Sequence, residues 1–304
     1  MKLFRKIILA GMLIAAVALP PVCNACACGC SVFSVGSMWK MPTSSETTIY
    51  FMYNYMDQNA NWSGSSSAAR ILNDDKEIRT NFYTLGIQYM ADRDWGITVD
   101  VPVWNRYFLT TDDDGNLASV NHTAVSDMRI TGMYTGLSED MSTGIVFGVK
   151  LPTGPFNESL FDRDTQIGTG TTDVLLGGYH MRQEHGWGWF AHAMIQYALN
   201  MRDAYRPGNN FDVSAGVHYD NLWNTYGIVP ILQVVASFRG EDNGANADPD
   251  NTGYQRVYIA PGFKIAASGS LNIFADVKLP VMTHIQGNQL VAPSLATVAV
   301  SYQL

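Results

Sequence analysis

Along residues 46–304, short segments alternate between apolar and polar side chains. Residues 95–103 and 271–279 are clear examples, each with an apolar side chain at every second position. A period of two residues is the side-chain period of a β-strand. About a dozen such segments follow one another, and hardly any stretch has the apolar spacing of an amphipathic helix. The pattern therefore predicts an all-β chain.

The connections between the predicted strands differ systematically in length. Short connections with turn residues alternate with longer polar connections along the whole region. Strands of about ten residues, even in number and joined in this way, are typical of a transmembrane antiparallel up-and-down β-barrel with short periplasmic turns and long extracellular loops. A soluble sandwich has no reason to sort its connections by length. We predict about twelve strands, over residues 46–56, 79–90, 95–107, 123–136, 142–152, 170–182, 187–199, 209–219, 223–238, 254–267, 270–283 and 294–304.

The end of the chain and the aromatic residues agree with a membrane barrel. Val298, Val300, Tyr302 and Leu304 fall on one face of the last predicted strand, which resembles the terminal signal that the barrel assembly machinery recognises. Aromatic residues near strand ends are expected to form girdles at the two membrane interfaces. The predicted girdle residues are Tyr50, Trp104, Tyr107, Trp187, Trp189 and Trp223.

The first residues predict export. Residues 1–25 combine Lys2, Arg5 and Lys6 with an apolar run over 7–19 and small residues before Cys26, which is typical of a cleaved secretory signal peptide. The apolar run is shorter than the roughly 20 residues that a spanning helix needs. We therefore divide the chain into a signal peptide (1–25), a periplasmic cysteine-rich segment or plug (26–45) and the transmembrane barrel (46–304) of a Gram-negative outer membrane.

Composition narrows the class of partner. Charged residues make up 15% of the chain and aromatic residues 12%, whereas soluble domains have about 25% charged residues. Once the three signal-peptide cations are removed from the 19 basic residues, about 16 of them remain against 27 acidic residues. This balance excludes nucleic acid, whose phosphates need a basic surface. Lipid and lipopolysaccharide are the expected contacts.

Two groups of residues carry a family resemblance. The first is Lys-Leu-Pro-Thr-Gly at 150–154 with the run at 168–177. The second comprises Ala-Pro-Gly at 260–262, Leu-Pro-Val at 279–281 and Gln-Gly-Asn-Gln-Leu at 286–290. In order and spacing they resemble the outer-membrane transporter family named for the meta pathway of phenol degradation, a relative of the hydrophobic-compound channels. The resemblance implies a channel in the outer membrane.

Charged residues on the predicted strands point to the barrel interior. An Arg or Lys side chain that faces lipid at mid-depth costs about 2–4 kcal/mol, so such residues are expected to face the lumen. They would either pair across the lumen as a structural network or form a mixed-charge constriction that selects solutes. The predicted lumen residues are Asp100, Asp127, Arg129, Lys150, Asp173, Arg256, Asp276 and Lys278.

Cysteines are confined to the start of the chain. Cys26, Cys28 and Cys30, called here the N-terminal cysteines, are spaced as soft ligands that suit Cu(I) or Zn(II). A disulfide is an alternative, more easily between Cys26 and Cys30 than between cysteines two positions apart. Lipidation of Cys26 is disfavoured because Cys23 stands three positions before it, where a Leu is expected. The stretch 26–33 is similar to the N-termini of some barrels encoded with periplasmic multihaem cytochromes. The N-terminal cysteines are therefore a candidate metal or redox site.

Two functions follow from these predictions. The first is a channel for passive movement of small solutes, hydrophobic or aromatic ones included. In it, residues 26–45 enter or seal the periplasmic mouth, with Met38, Trp39 and Met41 as their apolar contacts. The alternative is a sheath or anchor for a periplasmic redox protein. No resident cofactor is expected. An enzyme is disfavoured because none of the six histidines is followed two positions later by Ser, as in barrel lipases, and there is no G-x-S-x-G motif.

Overall fold

The computed structural model describes residues 32–33, 40–42, 44–112, 114–159, 161–220 and 227–304. The predicted signal peptide and the N-terminal cysteines lie outside these residues, so both stay predictions. The strands are β1 (Thr48–Gln58), β2 (Ala60–Ser63), β3 (Ser66–Ser67), β4 (Asp75–Met90), β5 (Trp95–Thr111), β6 (Leu117–Val125), β7 (Arg129–Tyr134), β8 (Thr143–Lys150), β9 (Asp173–Glu184), β10 (Trp187–Ala198), β11 (Asn210–Tyr219), β12 (Ile228–Arg239), β13 (Tyr254–Ala266), β14 (Leu271–Ile285), β15 (Asn288–Val291) and β16 (Leu295–Gln303).

The main sheet closes on itself. Each strand pairs antiparallel with its neighbours, and the ring closes because β1 pairs with both β4 and β16. Strands β6 and β7 lie end to end along β5 and occupy one place in the wall. The result is a closed barrel of twelve strands, which confirms the predicted fold class.

The outer wall is apolar. The residues of β16 that were predicted to share one face, Val298, Val300, Tyr302 and Leu304, are all exposed. Leu85, Ile87 and Phe263 on other strands are exposed in the same way. An apolar outer band of this kind requires lipid around it, so the protein is a barrel of the Gram-negative outer membrane.

The girdle prediction is correct for some aromatic residues and wrong for two. Trp187 and Trp189 are 59% and 43% exposed on the outer wall. Tyr50 is 3% exposed, and its hydroxyl donates a hydrogen bond to Asp100 in the interior. Trp104 also faces inward, packed edge-on against Phe82 at 4.9 Å between ring centroids. Tyr50 and Trp104 both occupy inward-facing positions of their strands. Trp223 lies outside the described residues.

A glycine makes room for the inward tyrosine. A Cβ on Gly86 of β4 would lie 2.1 Å from the Tyr50 ring, which is shorter than any van der Waals contact. Gly86 is the register partner of Tyr50 in the pairing of β1 with β4. The ring therefore lies flat across the neighbouring strand, where any other residue would displace it.

The fourth predicted strand, 123–136, is interrupted. Strand β6 ends at Val125 and β7 begins at Arg129. At the break, Ser126 Oγ donates a hydrogen bond to the Ile167 carbonyl at 2.7 Å, and Asp127 accepts one from Gly154 N at 3.1 Å. These bonds to the loop after β8 replace the sheet pairing that the break gives up.

Three stretches expected as long loops, 57–78, 108–122 and 284–293, contain strand structure. Residues 108–122 form the tip of the β5–β6 hairpin, with Phe108 paired to Val120. The extracellular strands β2, β3 and β15 make a separate three-stranded sheet. Such pairing satisfies backbone groups that an open loop would leave to water. In the described part of the chain, no helix is long and apolar enough to cross a membrane.

Candidate functional site in the barrel interior

Asp127, Lys150 and Asp173 form a buried ion-pair network. Lys150 Nζ lies 2.9 Å from Asp127 Oδ2 and 3.2 Å from Asp173 Oδ2, and each of the three residues is at most 7% exposed. The β8–β9 register brings Lys150 opposite Asp173. A lysine between two carboxylates offsets the cost of removing all three charges from water.

The connection between β8 and β9, residues 151–172, folds into the barrel and is called here the inward loop. Thr169 donates to Asp127 Oδ2 from its backbone N at 2.9 Å and from its Oγ1 at 2.7 Å. Lys150 Nζ donates to Thr169 Oγ1 as well. The ion-pair network thus fastens the inward loop to the wall.

A second attachment of the inward loop involves Arg106 of β5. The Arg106 guanidinium is fully buried and donates to Thr80 Oγ1 at 2.9 Å and to the Gln166 carbonyl at 3.2 Å. Sequence analysis predicted a long extracellular connection here and missed both its inward course and the role of Arg106. The available signal was the apolar residues within this connection, among them Phe161 and Ile167, which are both buried.

Asp100 and Arg129 lie opposite each other in the β5–β7 register. Asp100 accepts the hydrogen bond from the Tyr50 hydroxyl, and Arg129 Nη2 donates to Gln196 Oε1 at 3.3 Å. Gln196 in turn donates to Asp173 Oδ2 at 2.6 Å. A chain of polar contacts therefore links Arg129 to the Lys150 network through Gln196 and Asp173.

The remaining predicted lumen residues lie on the other side of the barrel. Lys278 Nζ is 2.7 Å from Asp276 Oδ1 and 2.9 Å from Thr297 Oγ1, while Gln233 donates to Asp276 Oδ2 at 2.7 Å. Arg256 is 2% exposed, with its guanidinium 4.3 Å from the centre of the Tyr254 ring. The eight predicted residues thus form two groups rather than one ring.

Apolar side chains fill much of the space between these groups. One buried cluster joins Val32 to wall residues such as Met56, Leu175 and Val235, and a second joins Met41 to Phe190. Phe33 packs on Phe82 at 5.4 Å between ring centroids. Residues that precede the barrel in sequence therefore lie among inward-facing side chains of its wall. Met38 and Trp39, the other predicted contacts, lie outside the described residues.

The described residues enclose two adjoining chambers in the interior. The outer chamber has about 120 Å³ of space for water-sized molecules, and residues of the extracellular connections, Gly168 and Tyr205 among them, line it. The inner chamber has about 100 Å³ and is lined by Met41 and Tyr179. Phe33, Lys40, Asp100 and Arg129 line both chambers, so the chambers adjoin each other.

A carboxyl group at the extracellular rim has an altered pKa. The outward residues Glu77 and Arg79 place this end of β4 above the apolar band. Burial, and then the neighbouring Asp162 carboxylate of the inward loop, raise the pKa of Asp75 to about 7. Thr110 Oγ1 donates to Asp75 Oδ1 at 3.1 Å and lowers that pKa in part. This contact between wall and loop therefore titrates near neutral pH.

The candidate metal or redox site is a separate matter. Across the part of the chain that the structure describes, there is no group of three or more His, Cys, Asp or Glu residues placed to hold a metal ion. The N-terminal cysteines are not among those residues. Their assignment as a metal or redox site stays a prediction from sequence.

Comparison with known proteins supports the fold. An outer-membrane channel from Pseudomonas putida F1 matches with a TM-score of 0.69 and 12% identity over 89% of this chain and 100% of that chain. The β-domain of the Bordetella autotransporter BrkA matches with a TM-score of 0.52 and 10% identity over 86% of this chain and 100% of that chain. At these identities the likeness shows an outer-membrane barrel fold. No family model and no curated relative matches the sequence, so the resemblance to the phenol-pathway transporter family stays a prediction.

Proposed function

We propose that the protein is a channel for passive movement of small hydrophobic or aromatic solutes across the outer membrane. The observation that carries the proposal is the interior itself: two adjoining chambers inside a closed barrel, with aromatic and thioether side chains beside buried ion pairs. A pore for hydrophilic solutes is usually polar and water-filled. Apolar lining favours solutes that lose little by leaving water.

In this proposal the segment 26–45 is a plug that narrows the path. Val32 and Met41 are 1% and 7% exposed among inward-facing wall residues, and the Lys40 carbonyl accepts a hydrogen bond from Gln88 at 3.0 Å. These contacts support a seat for the plug inside the barrel. The plug would have to shift for solutes larger than the chambers to pass.

The outer surface fits the same proposal. The apolar band would contact lipid and lipopolysaccharide, and β16 would carry the signal for the barrel assembly machinery. The proposed role needs no covalent chemistry, and so no catalytic residue is assigned.

Liposome swelling tests the proposal. Proteoliposomes are challenged with glycine, threonine and phenylalanine, which share one charge state and differ in side chain. If the path is apolar, phenylalanine should enter faster than is expected for a solute of its size in an aqueous pore. Entry strictly in order of size would indicate an ordinary aqueous pore, and no entry of any solute into liposomes that contain folded barrel would refute the channel.

A further inference from the structure

Aromatic side chains line one wall of the outer chamber. Asn54, Phe82 and Trp104 stand side by side on β1, β4 and β5, since Asn54 pairs with Phe82 and Phe82 pairs with Trp104. The Phe33 ring packs on the same Phe82. Aromatic side chains grouped in this way favour another aromatic ring, through offset or edge-on contact.

Two buried amides in this chamber have unused hydrogen-bonding capacity. Asn54 and Asn210 are 2% and 7% exposed, and both line the outer chamber. Neither Oδ1 atom has a hydrogen-bond partner among the described residues. A buried polar atom without a partner destabilises the empty site. A hydroxyl or amino group of a ligand, donating to either amide oxygen, would remove this cost.

Arg163 of the inward loop supplies hydrogen-bond donors at the same chamber. Its Nη2 donates to the Thr169 carbonyl at 2.6 Å, and the guanidinium stacks 4.2 Å from the centre of the Tyr205 ring. Its Nε and Nη1 are buried and have no hydrogen-bond partner in the described part of the chain. Each of these two donors can give a charge-assisted hydrogen bond to a carboxylate oxygen.

The lining of the outer chamber carries charges of both signs. Among the described residues that line the outer chamber, five side chains are cationic and three are anionic. The cations are Lys40, Arg129, Lys150, Arg163 and Arg239, and the anions are Asp100, Asp127 and Asp164. Lys150 and Arg239 are also paired with Asp173 and Asp242, which do not line the chamber. The donors of Arg163, rather than an excess of positive charge, therefore favour an anionic group.

The volume of the outer chamber limits the ligand to about one aromatic ring. An engineered apolar cavity of about 150 Å³ binds benzene, and the outer chamber has about 120 Å³. A single six-membered ring is of this size, and substituents on the ring would extend into the adjoining space. Larger polycyclic compounds would require the inward loop or the plug to move.

We propose that the outer chamber is a binding site for small aromatic carboxylates that also carry a hydrogen-bond donor. The ring lies against Phe82 and Trp104, the carboxylate meets Arg163, and the donor meets Asn54 or Asn210. The proposal deepens the proposed function, on which it rests, by naming the solute class.

Calorimetric titration of the folded barrel in detergent tests the site, with 4-hydroxybenzoate as the probe. Benzoate lacks the donor, 4-hydroxybenzyl alcohol lacks the charge, and both should bind at least tenfold more weakly, because each leaves buried groups unpaired. Arg163→Gln and Asn54→Leu should weaken 4-hydroxybenzoate at least tenfold. The matched exposed variants Arg70→Gln and Asn246→Leu should leave its affinity unchanged.

Heat-modifiable migration in gels shows whether a variant is folded. If a variant misfolds, the comparison of the three ligands on the parent protein still tests the site. Equal affinity for all three compounds, or no binding of 4-hydroxybenzoate, would overturn the site. Liposome entry distinguishes this failure from failure of the channel. Phenylalanine entry without 4-hydroxybenzoate binding removes only the site, whereas binding without entry of any solute removes only the channel.

Discussion

Replacing Lys150 with Met should destabilise the barrel more than any exposed charge change. Lys150 is 3% exposed, and its removal leaves Asp127 and Asp173 buried beside each other without a cation. Removing one partner of a buried ion pair costs roughly 3–5 kcal/mol. The two carboxylates keep hydrogen bonds from Thr169, Gly154 and Gln196. We therefore expect the lower end of that range, about 3 kcal/mol.

The assay is urea unfolding in lipid vesicles, followed by tryptophan fluorescence. Glu184→Gln is the matched control, because the Arg182–Glu184 pair is 58% exposed on both sides and exposed pairs contribute at most about 1 kcal/mol. Asp173→Asn in the Lys150→Met background should recover part of the loss, since one buried charge is removed. A Lys150→Met barrel as stable as the Glu184→Gln barrel would refute the interpretation of the network as buried and coupled.

Further predictions concern the inward loop and the start of the chain. Gly168→Ala should loosen the inward loop and raise its protease sensitivity, since the new Cβ would lie 2.3 Å from the Gly154 carbonyl oxygen; unchanged cleavage contradicts the packing. The pKa of Asp75 is raised to about 7. Below this pH the Asp75 carboxyl is protonated and its contact with the Asp162 carboxylate holds. The contact is lost as the pH rises through about 7, because Asp75 then becomes charged. Loop cleavage should therefore be faster at about pH 8.5 than at about pH 5.5, and Asp75→Asn should abolish the difference. Serine in place of the N-terminal cysteines should leave solute entry unchanged; a loss of entry, or loss of a co-purified redox protein, would favour the alternative function.

The sequence predicted the barrel well because alternation and loop length are local properties. All twelve strand positions could be predicted, since side chains at every second position must face lipid. Near a strand end, alternation alone does not decide whether a side chain faces lipid or the lumen. Tyr50 and Trp104 resembled interface aromatics, whereas their pairing partners Gly86 and Phe82 place them inside.

The candidate site was predictable only in part. Charged residues on strands were expected in the lumen because lipid excludes them, and this argument found Lys150 and Asp173. It could not find Asn54 or Arg163. Asn54 is an uncharged residue whose burial depends on the closed wall, and Arg163 reaches the chamber only because the inward loop packs Gly154 against Gly168. Contacts between distant segments are not encoded in any local pattern.

Single-channel conductance of the mature chain, with and without residues 26–45, tests the central claim most directly. A plugged channel predicts small, infrequent openings for the complete protein and a larger, steady conductance for the shortened one, because Val32, Phe33 and Met41 no longer fill the lumen. Heat-modifiable migration shows that both forms are folded. No conductance from either folded form would contradict the channel, and equal conductance from both would contradict the plug.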